Sequence, residues 1–282
     1  RIPVSYLSMI DDANGYKIDE AWMARIKEVV DMCIKYDLYA VINMHGDGYH
    51  SIAGGWLLCD KEDQTTIKAK YEAVWKQIAE TFKDYDEHLL FASMNEVFDG
   101  NYNGPTESGY AAINDYNQIF VDTVRKTGSN NTKRWLVCPG WNTDIEYTTG
   151  DYGFKLPTDT YKDSTITDSR IMVEVHYYNP WGFCGGESGV NTQWGSYTED
   201  PSVTAAGDEA TLAELFDRLQ DKFTSKGIPV FIGEYGAIDK TEDDPTSLTY
   251  TAYFDKKVCE HAQRIGAVPM YWDNGYNGKY GF

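Results

Sequence analysis

Long hydrophobic runs, basic residues and cysteine are all scarce in this sequence, and each scarcity excludes a class of protein. No stretch of about 18 consecutive apolar residues is present, so the sequence predicts no membrane-spanning helix. The 25 Lys and Arg are outnumbered by 44 Asp and Glu, and the net charge of −19 argues against binding to nucleic acid or an anionic membrane. The five cysteines are widely spaced without a CxxC pair, which argues against a disulfide framework and a zinc site.

The chain also lacks the marks of targeting and of subdivision. The first residues, RIPVSYLSMI, have neither the charged region nor the cleavage site of a signal peptide, so we expect any export signal to lie outside this chain. No linker and no internal repeat divides the sequence. We therefore expect residues 1–282 to form a single domain.

Short apolar runs typical of buried strands alternate along the chain with stretches of helical periodicity. Five such stretches predict helices: residues 22–33, 67–82, 113–124 and 212–223, and a weaker one near 250–265. Six runs predict strands: LYAVINMH (38–45), LLFASMNE (89–96), RWLVCPG (134–140), RIMVEVHYY (170–178), IPVFIGEYG (228–236) and AVPMYWDNG (267–275). The alternation predicts an α/β fold with a parallel sheet covered by helices. Because neither GxGxxG nor GxxxxGK[ST] follows any run, the pattern favours a (β/α)8 TIM barrel over a doubly wound nucleotide-binding sheet.

Polar and aromatic residues stand at the carboxyl ends of these runs, where a (β/α)8 barrel carries its active site. They are His45, Asn95, Glu96, Trp141, His176, Tyr178, Glu234 and Trp272. Glycoside hydrolysis requires two carboxylates, one to protonate the leaving oxygen and one to attack or to activate water. Glu96 and Glu234 lie on separate predicted strands, so we predict that they are the catalytic pair.

In these motifs the sequence resembles glycoside hydrolase family 5, the cellulase family, and within it the endoglucanases and xyloglucanases of subfamily 4. The motifs follow one another in the family's order: RIPVSY, VINMHGDG, MNE, EVHYY, IGEYG and YWDNG. The resemblance implies that Glu96 is the general acid and then the base. It also implies that Glu234 is the nucleophile of a retaining, double-displacement mechanism.

The resemblance further implies supporting roles for six residues: Arg1, His45, Asn95, His176, Tyr178 and Trp272. Asn95 would hold the sugar 2-hydroxyl beside the scissile bond, while Arg1 and Tyr178 would orient the nucleophile. The two histidines would bind hydroxyls or position the carboxylates. The tryptophan would form the platform under the sugar at the cleavage point.

Two features depart from the family pattern. Many relatives have a second histidine where this chain has Gly46, so we expect one sugar contact to differ. RIPVSY is similar to the end of the family's second strand. We therefore expect the first strand-helix unit and the last helix to be absent from this chain, and a second chain or copy to complete the barrel unless the sequence is part of a longer one.

Other titratable residues lie near the predicted site. Glu174 stands two residues before His176 and should face the same side one layer deeper, where we expect it to be a buried partner for a donor. His45, Asp47 and His50 in HGDGYH could bind a metal ion, so a metal-dependent hydrolase is an alternative. That alternative leaves the glutamate pair without a task, and we therefore predict no metal and no cofactor.

Four tryptophans in the predicted loops are candidates for stacking on sugar rings: Trp56, Trp141, Trp181 and Trp194. We expect about half of them to contact sugar and the others to pack. A row of rings would suit an internal stretch of polymer. The resulting prediction is an endo-β-1,4-glucanase acting on cellulose, mixed-linkage glucan or xyloglucan, with a mannanase or xylanase as the alternative. Because polymers cannot enter cells, we expect it to act outside the cell or on its surface.

Overall fold

The computed structural model describes residues 1–187 and 191–279. The chain folds into two compact units, the first spanning Arg1–Val173 and the second beginning at Glu174. The strands are β1 (Ile10–Asp11), β2 (Lys17–Ile18), β3 (Ala40–Ile42), β4 (Leu89–Ala92), β5 (Leu136–Pro139), β6 (Ile171–Tyr177), β7 (Val230–Tyr235) and β8 (Val268–Tyr271). The α-helices are α1 (Glu20–Lys35), α2 (Gln64–Phe82), α3 (Glu107–Lys126), α4 (Ile145–Thr149), α5 (Trp181–Cys184), α6 (Glu209–Lys222) and α7 (Ser247–Ile265).

The six predicted runs all form strands, β3 to β8, with helices between consecutive strands. In the first unit β3, β4 and β5 are parallel neighbours, and Ala40 lies opposite Leu89. In the second unit β7 and β8 are parallel, with Phe231 opposite Val268. Strand β6 begins in the first unit and ends in the second. Parallel strands joined by helices confirm the predicted α/β class.

The residues before β1 run alongside β3. Ile2 forms a parallel bridge with Ile42, and its N–H donates to the carbonyl of Val41 at 2.8 Å. Two residues on, the carbonyl of Val4 accepts from the N–H of His45 at 2.7 Å. The segment RIPV therefore continues the parallel arrangement, whereas the antiparallel pair of β1 and β2 that follows it was not predicted from the sequence.

The predicted helical periodicities correspond to α1, α2, α3, α6 and α7. Four of these helices begin at a residue whose side chain accepts a hydrogen bond from the first turn, which satisfies an otherwise unpaired N–H. The capping residues are Asp19, Asp63, Thr106 and Asp208. Within the described part of the chain, no helix is both long enough and apolar enough to cross a membrane.

A buried arginine ties together the chain at the amino-terminal end of β4. Arg134 is 2% exposed. Its guanidinium donates to the carbonyls of Phe82, Tyr85, Asp86 and Leu89 and to the side-chain oxygen of Asn131. Burial lowers the pKa of Arg134 to about 10. The five donated hydrogen bonds satisfy a charge that would otherwise be costly to bury.

Candidate active site

Glu96 follows β4 on a segment that two helices hold in place. The apolar run 89–96 predicted that Glu96 is the last residue of the strand. The strand ends four residues earlier, so Glu96 lies beyond it. The carbonyl of Ser93 accepts from the Tyr71 hydroxyl at 2.7 Å and from the Trp75 indole N–H at 3.1 Å, both on α2. The Ser93 hydroxyl donates to Asn117 of α3 at 2.6 Å. These bonds fix the backbone that leads to the carboxylate.

The side chains of Asn95 and Glu96 are joined through the hydroxyl of Tyr49. This hydroxyl donates to Oε2 of Glu96 at 2.8 Å and accepts from Nδ2 of Asn95 at 2.7 Å. Arg1 donates to Oδ1 of Asn95 at 2.6 Å. Asn95 is buried, whereas Glu96 is partly exposed. The amide is thus held at both ends, and the carboxyl group remains accessible to a substrate.

Sequence reasoning singled out Arg1, Asn95 and Glu96 but missed Tyr49. The residue lies inside HGDGYH, between Asp47 and His50, in a loop after β3 that has no periodic pattern. The available signal was its position in a polar loop at the carboxyl end of a strand, where active-site residues of this fold class are found.

Asp47, one of the residues considered as a metal ligand, accepts hydrogen bonds from the surrounding chain. Its carboxylate is fully buried and accepts from the N–H groups of Tyr6 and Leu7 and from Nε1 of Trp56, the last two at 2.8 Å. Burial raises the pKa of Asp47, and these donors oppose the rise by favouring the ionised form. The residue therefore anchors the loop on which Tyr49 and Trp56 lie.

The two histidines of HGDGYH have different neighbours. His50 lies 3.1 Å from a carboxylate oxygen of Asp60. His45 Nδ1 lies 3.1 Å from Nδ2 of Asn43. Each residue proposed for the metal alternative is therefore engaged with a different partner.

In the second unit, Glu234 is the penultimate residue of β7 and is 5% exposed. The Tyr178 hydroxyl donates to its Oε2 at 3.0 Å, and Nδ1 of His176 lies 3.6 Å from the same oxygen. His176 belongs to β6 and Tyr178 directly follows that strand. The carboxylate is consequently held from the neighbouring strand by a phenol and an imidazole.

Glu174 lies behind His176 and is completely buried. Its Oε1 is 3.3 Å from Nε2 of His176, so the two ring nitrogens face two different carboxylates. A Cβ atom on Gly233 would lie 2.0 Å from Oε1 of Glu174 and 3.0 Å from Nε2 of His176. Glycine is thus required beside Glu234 by this close approach, and Glu174 has the expected place of a buried partner.

Three of the aromatic residues selected from the sequence are at least partly exposed. Trp181 is 66% exposed, and its ring stands nearly perpendicular to that of Tyr178, with the ring centroids 6.3 Å apart. The ring of Trp56 lies under the ammonium of Lys70, with 4.7 Å between the nitrogen and the ring centroid. Trp272 follows β8, and its backbone N–H donates to the carbonyl at the end of β7. These rings offer apolar surface to a ligand.

The other two candidates for sugar stacking are core residues. Trp141 is 1% exposed and packs against Tyr110, and Trp194 is 0% exposed and packs edge-on against Phe254. A ring that is enclosed on both faces cannot stack on a pyranose. The structure therefore places Trp141 and Trp194 in packing roles, which corrects their selection as sugar-binding residues.

Comparisons with known proteins show which family the chain resembles. The family model for cellulase (glycosyl hydrolase family 5) matches residues 1–278. Endoglucanase A of Paenibacillus barcinonensis is 51% identical over 285 residues, which cover 100% of this chain and 71% of that protein. The xyloglucan-specific endo-β-1,4-glucanase of Bacteroides ovatus is 35% identical over 292 residues, covering 99% of this chain and 54% of that protein.

A solved structure also resembles the chain closely. The family 5 xyloglucanase from Paenibacillus pabuli, solved in complex with ligand, aligns with a TM-score of 0.96 at 52% identity. The alignment covers 99% of this chain and 79% of that chain. Together with the parallel strands and their connecting helices, this similarity confirms the predicted (β/α)8 class.

Proposed function

This chain belongs to glycosyl hydrolase family 5, and from that premise we propose that it is a retaining endo-β-1,4-glucanase that cleaves internal bonds of β-glucans, with xyloglucan among its substrates. The observation that carries the proposal is the pair of glutamates after β4 and on β7, each held by a tyrosine hydroxyl. Two carboxylates in defined hydrogen-bonded settings are what a double displacement needs.

In the first step Glu234 attacks the anomeric carbon and forms a glycosyl–enzyme ester. Glu96 transfers its proton to the glycosidic oxygen as the bond to that oxygen breaks. The Tyr178 hydroxyl and His176 hold the nucleophile in orientation from β6. Asn95, fixed by Arg1 and Tyr49, is proposed to bind the sugar 2-hydroxyl.

In the second step water attacks the anomeric carbon of the glycosyl–enzyme. Glu96, now ionised, takes a proton from that water, and the ester bond to Glu234 breaks. Both residues return to their starting protonation states, and the product keeps the configuration of the substrate. Because Glu96 is partly exposed, both the leaving group and the water can reach it.

The choice of substrate rests on the relatives and on the exposed aromatic rings. The Paenibacillus pabuli and Bacteroides ovatus relatives are named as xyloglucanases. Trp181 is exposed and Trp56 is partly exposed, so both can offer apolar ring surface to a polymer. A polymer of this kind is met outside the cell or at its surface, where we propose that the enzyme acts.

The test is the release of reducing sugar from xyloglucan, carboxymethyl cellulose, mannan and xylan by the parent chain, Glu96→Ala and Glu234→Ala. Glu214→Ala is the matched control, since this glutamate pairs with Arg218 on the exposed side of α6. We expect activity on the glucans, a loss of at least about 1000-fold in both site variants and none in the control. Activity should survive EDTA, because the two carboxylates and water suffice for the reaction.

The stereochemistry and the separate roles need two further readouts. Proton NMR of the first product should show the β-anomer before mutarotation. Azide needs no general base, so it should rescue Glu96→Ala on an activated aryl cellobioside as a β-glycosyl azide. Initial formation of the α-anomer, or activity that EDTA abolishes and either alanine variant retains, would overturn the mechanism. Cleavage of mannan or xylan alone would overturn the substrate.

A further inference from the structure

We infer that Tyr49 is a positioning residue for the general acid and base of this enzyme, and that it sets the protonation behaviour of Glu96. The inference rests on the proposed role of Glu96. It concerns a residue outside the catalytic pair, and the hydrogen-bond directions around the Tyr49 hydroxyl carry it.

The hydroxyl of Tyr49 has one proton to donate, and its neighbours determine where that proton points. Nδ2 of Asn95, 2.7 Å away, can only donate, so the Tyr49 oxygen is an acceptor there. The hydroxyl proton is therefore directed to Oε2 of Glu96, 2.8 Å away. Arg1 donates to the side-chain oxygen of Asn95, which fixes the orientation of the amide with its nitrogen towards Tyr49. A directed series of donors thus runs from a guanidinium to the carboxylate.

Such a series favours the ionised carboxylate, because a donor stabilises the charged form and aligned hydrogen bonds strengthen one another. This matters for an acid that must give up its proton in the first step and take one in the second. The phenol also occupies Oε2, which restricts the orientation in which the carboxyl group can meet the glycosidic oxygen.

The loop after β3, which contains Tyr49, has a closely packed backbone. A Cβ atom on Gly48 would lie 2.6 Å from Cγ2 of Val97, the residue after Glu96. A Cβ atom on Gly55 would lie 2.2 Å from the carbonyl oxygen of Tyr49. Asp47 ties both sides of the loop through its buried carboxylate and its backbone carbonyl. The hydroxyl is therefore preorganised against the carboxylate, as a positioning group must be.

The test is the pH dependence of kcat/KM on a β-glucan for the parent and for Tyr49→Phe, which keeps the ring and removes the donor. We expect a loss of about tenfold or more in kcat with a smaller change in KM, since a hydrogen bond to a charged group is lost. We also expect the basic limb of the profile to move to higher pH, because the carboxyl group keeps its proton more readily without the donor.

Tyr85→Phe is the matched control. The hydroxyl of Tyr85 also donates to a carboxylate, that of Asp31, but it lies before the amino-terminal end of β4. The control removes the same chemical pair away from the site, and its pH profile should superimpose on that of the parent.

A second variant separates the role of the hydroxyl from any effect on folding. Replacement of Tyr49 by 3-fluorotyrosine keeps the ring and the hydroxyl but makes the phenol a stronger donor. The basic limb should then move to lower pH, in the direction opposite to that of Tyr49→Phe. If Tyr49→Phe does not fold, the shift of the basic limb in the 3-fluorotyrosine enzyme is by itself the test of the positioning role.

The inference is overturned if the limb stays in place in both Tyr49 variants, or if Tyr85→Phe shifts it equally. Its failure can be told apart from failure of the proposed function. If Glu96→Ala is inactive and the pH profile of Tyr49→Phe is not shifted, only the positioning role of Tyr49 is excluded. If Glu96→Ala is active, the proposed catalytic role of Glu96 is excluded, whatever the result for Tyr49→Phe.

Discussion

Asp255 on α7 gives the sharpest prediction about stability. Its Oδ1 atom is buried and has no hydrogen-bond partner among residues 1–187 and 191–279. Burial raises the pKa of its carboxyl group from 3.8 to about 7. The native state therefore prefers the protonated form over a pH range in which the unfolded chain is already ionised.

The size of the effect follows from the two pKa values. A difference of about 3 units corresponds to about 4 kcal/mol at 1.36 kcal/mol per unit, and solvent at the partly exposed residue reduces this to about 2–4 kcal/mol. Because the native pKa is the higher one, the contribution to stability is fully present below about pH 4. It is lost as the pH rises through about 7.

Asp255→Asn removes this dependence, because the amide has a similar shape and stays neutral. In urea unfolding followed by circular dichroism, we expect the variant to match the parent at about pH 4. At about pH 8 it should exceed the parent by about 2–4 kcal/mol. The difference should grow steadily between these limits.

Asp244→Asn is the control of opposite sign. Hydrogen bonds from the hydroxyl and N–H of Thr246 lower the pKa of Asp244 to about 2. Its contribution is therefore present above about pH 4 and lost as the pH falls through about 2, so this substitution should destabilise the protein at neutral pH. An Asp255→Asn variant no more stable than the parent at about pH 8 would refute the reasoning.

Other substitutions test the assignments around the site and the core. Trp194→Ala should cost about 3–5 kcal/mol in urea unfolding because it empties a core position, whereas Trp181→Ala should stay within about 0.5 kcal/mol of the parent and raise KM for the polymer. Equal stability losses would contradict this distinction. Gly233→Ala should lower kcat by about a hundredfold with a folded circular dichroism spectrum, since the new methyl group displaces the buried Glu174; full activity would show that the packing is not needed. Arg134→Met should cost at least about 3 kcal/mol of unfolding free energy, because four carbonyls lose their donor; a Tm equal to that of the parent would exclude this role.

The sequence predicted the repeating architecture because its signal is local. Six apolar runs and five helical periodicities lie where the strands and the long helices form. The sequence predicted the ends of the strands less well. The apolar run 89–96 continues past the end of β4, because residues beyond the strand, such as Met94 and Val97, are also buried, by packing and not by sheet pairing. Hydrophobicity reports burial, and burial extends beyond the hydrogen-bonded strand.

Candidate site residues could be selected from the sequence only where a suitable residue type stands at the carboxyl end of an apolar run. Glu96 and Glu234 meet both conditions, and their catalytic roles remain a prediction. Tyr49 has an ordinary residue type in an irregular loop, and only the folded loop brings its hydroxyl to the carboxylate. Whether a loop tryptophan faces solvent, as Trp181 does, or the core, as Trp194 does, is decided by contacts with residues far away in sequence.

The carbonyl of Ser93 has a consequence for how this enzyme responds to heat and to engineering. It is held by two side chains of α2, a helix that contributes no residue to the proposed chemistry. Tyr71→Phe would release one of those bonds without touching any group near the sugar. Loosening of α2 should therefore lower turnover at temperatures below global melting. Faster hydrogen exchange of the Ser93 N–H, which donates to the carbonyl of Val137, would report that the backbone of this segment has loosened as well. Positions behind the sheet thus offer a way to tune the working temperature while every residue that meets the substrate is left unchanged.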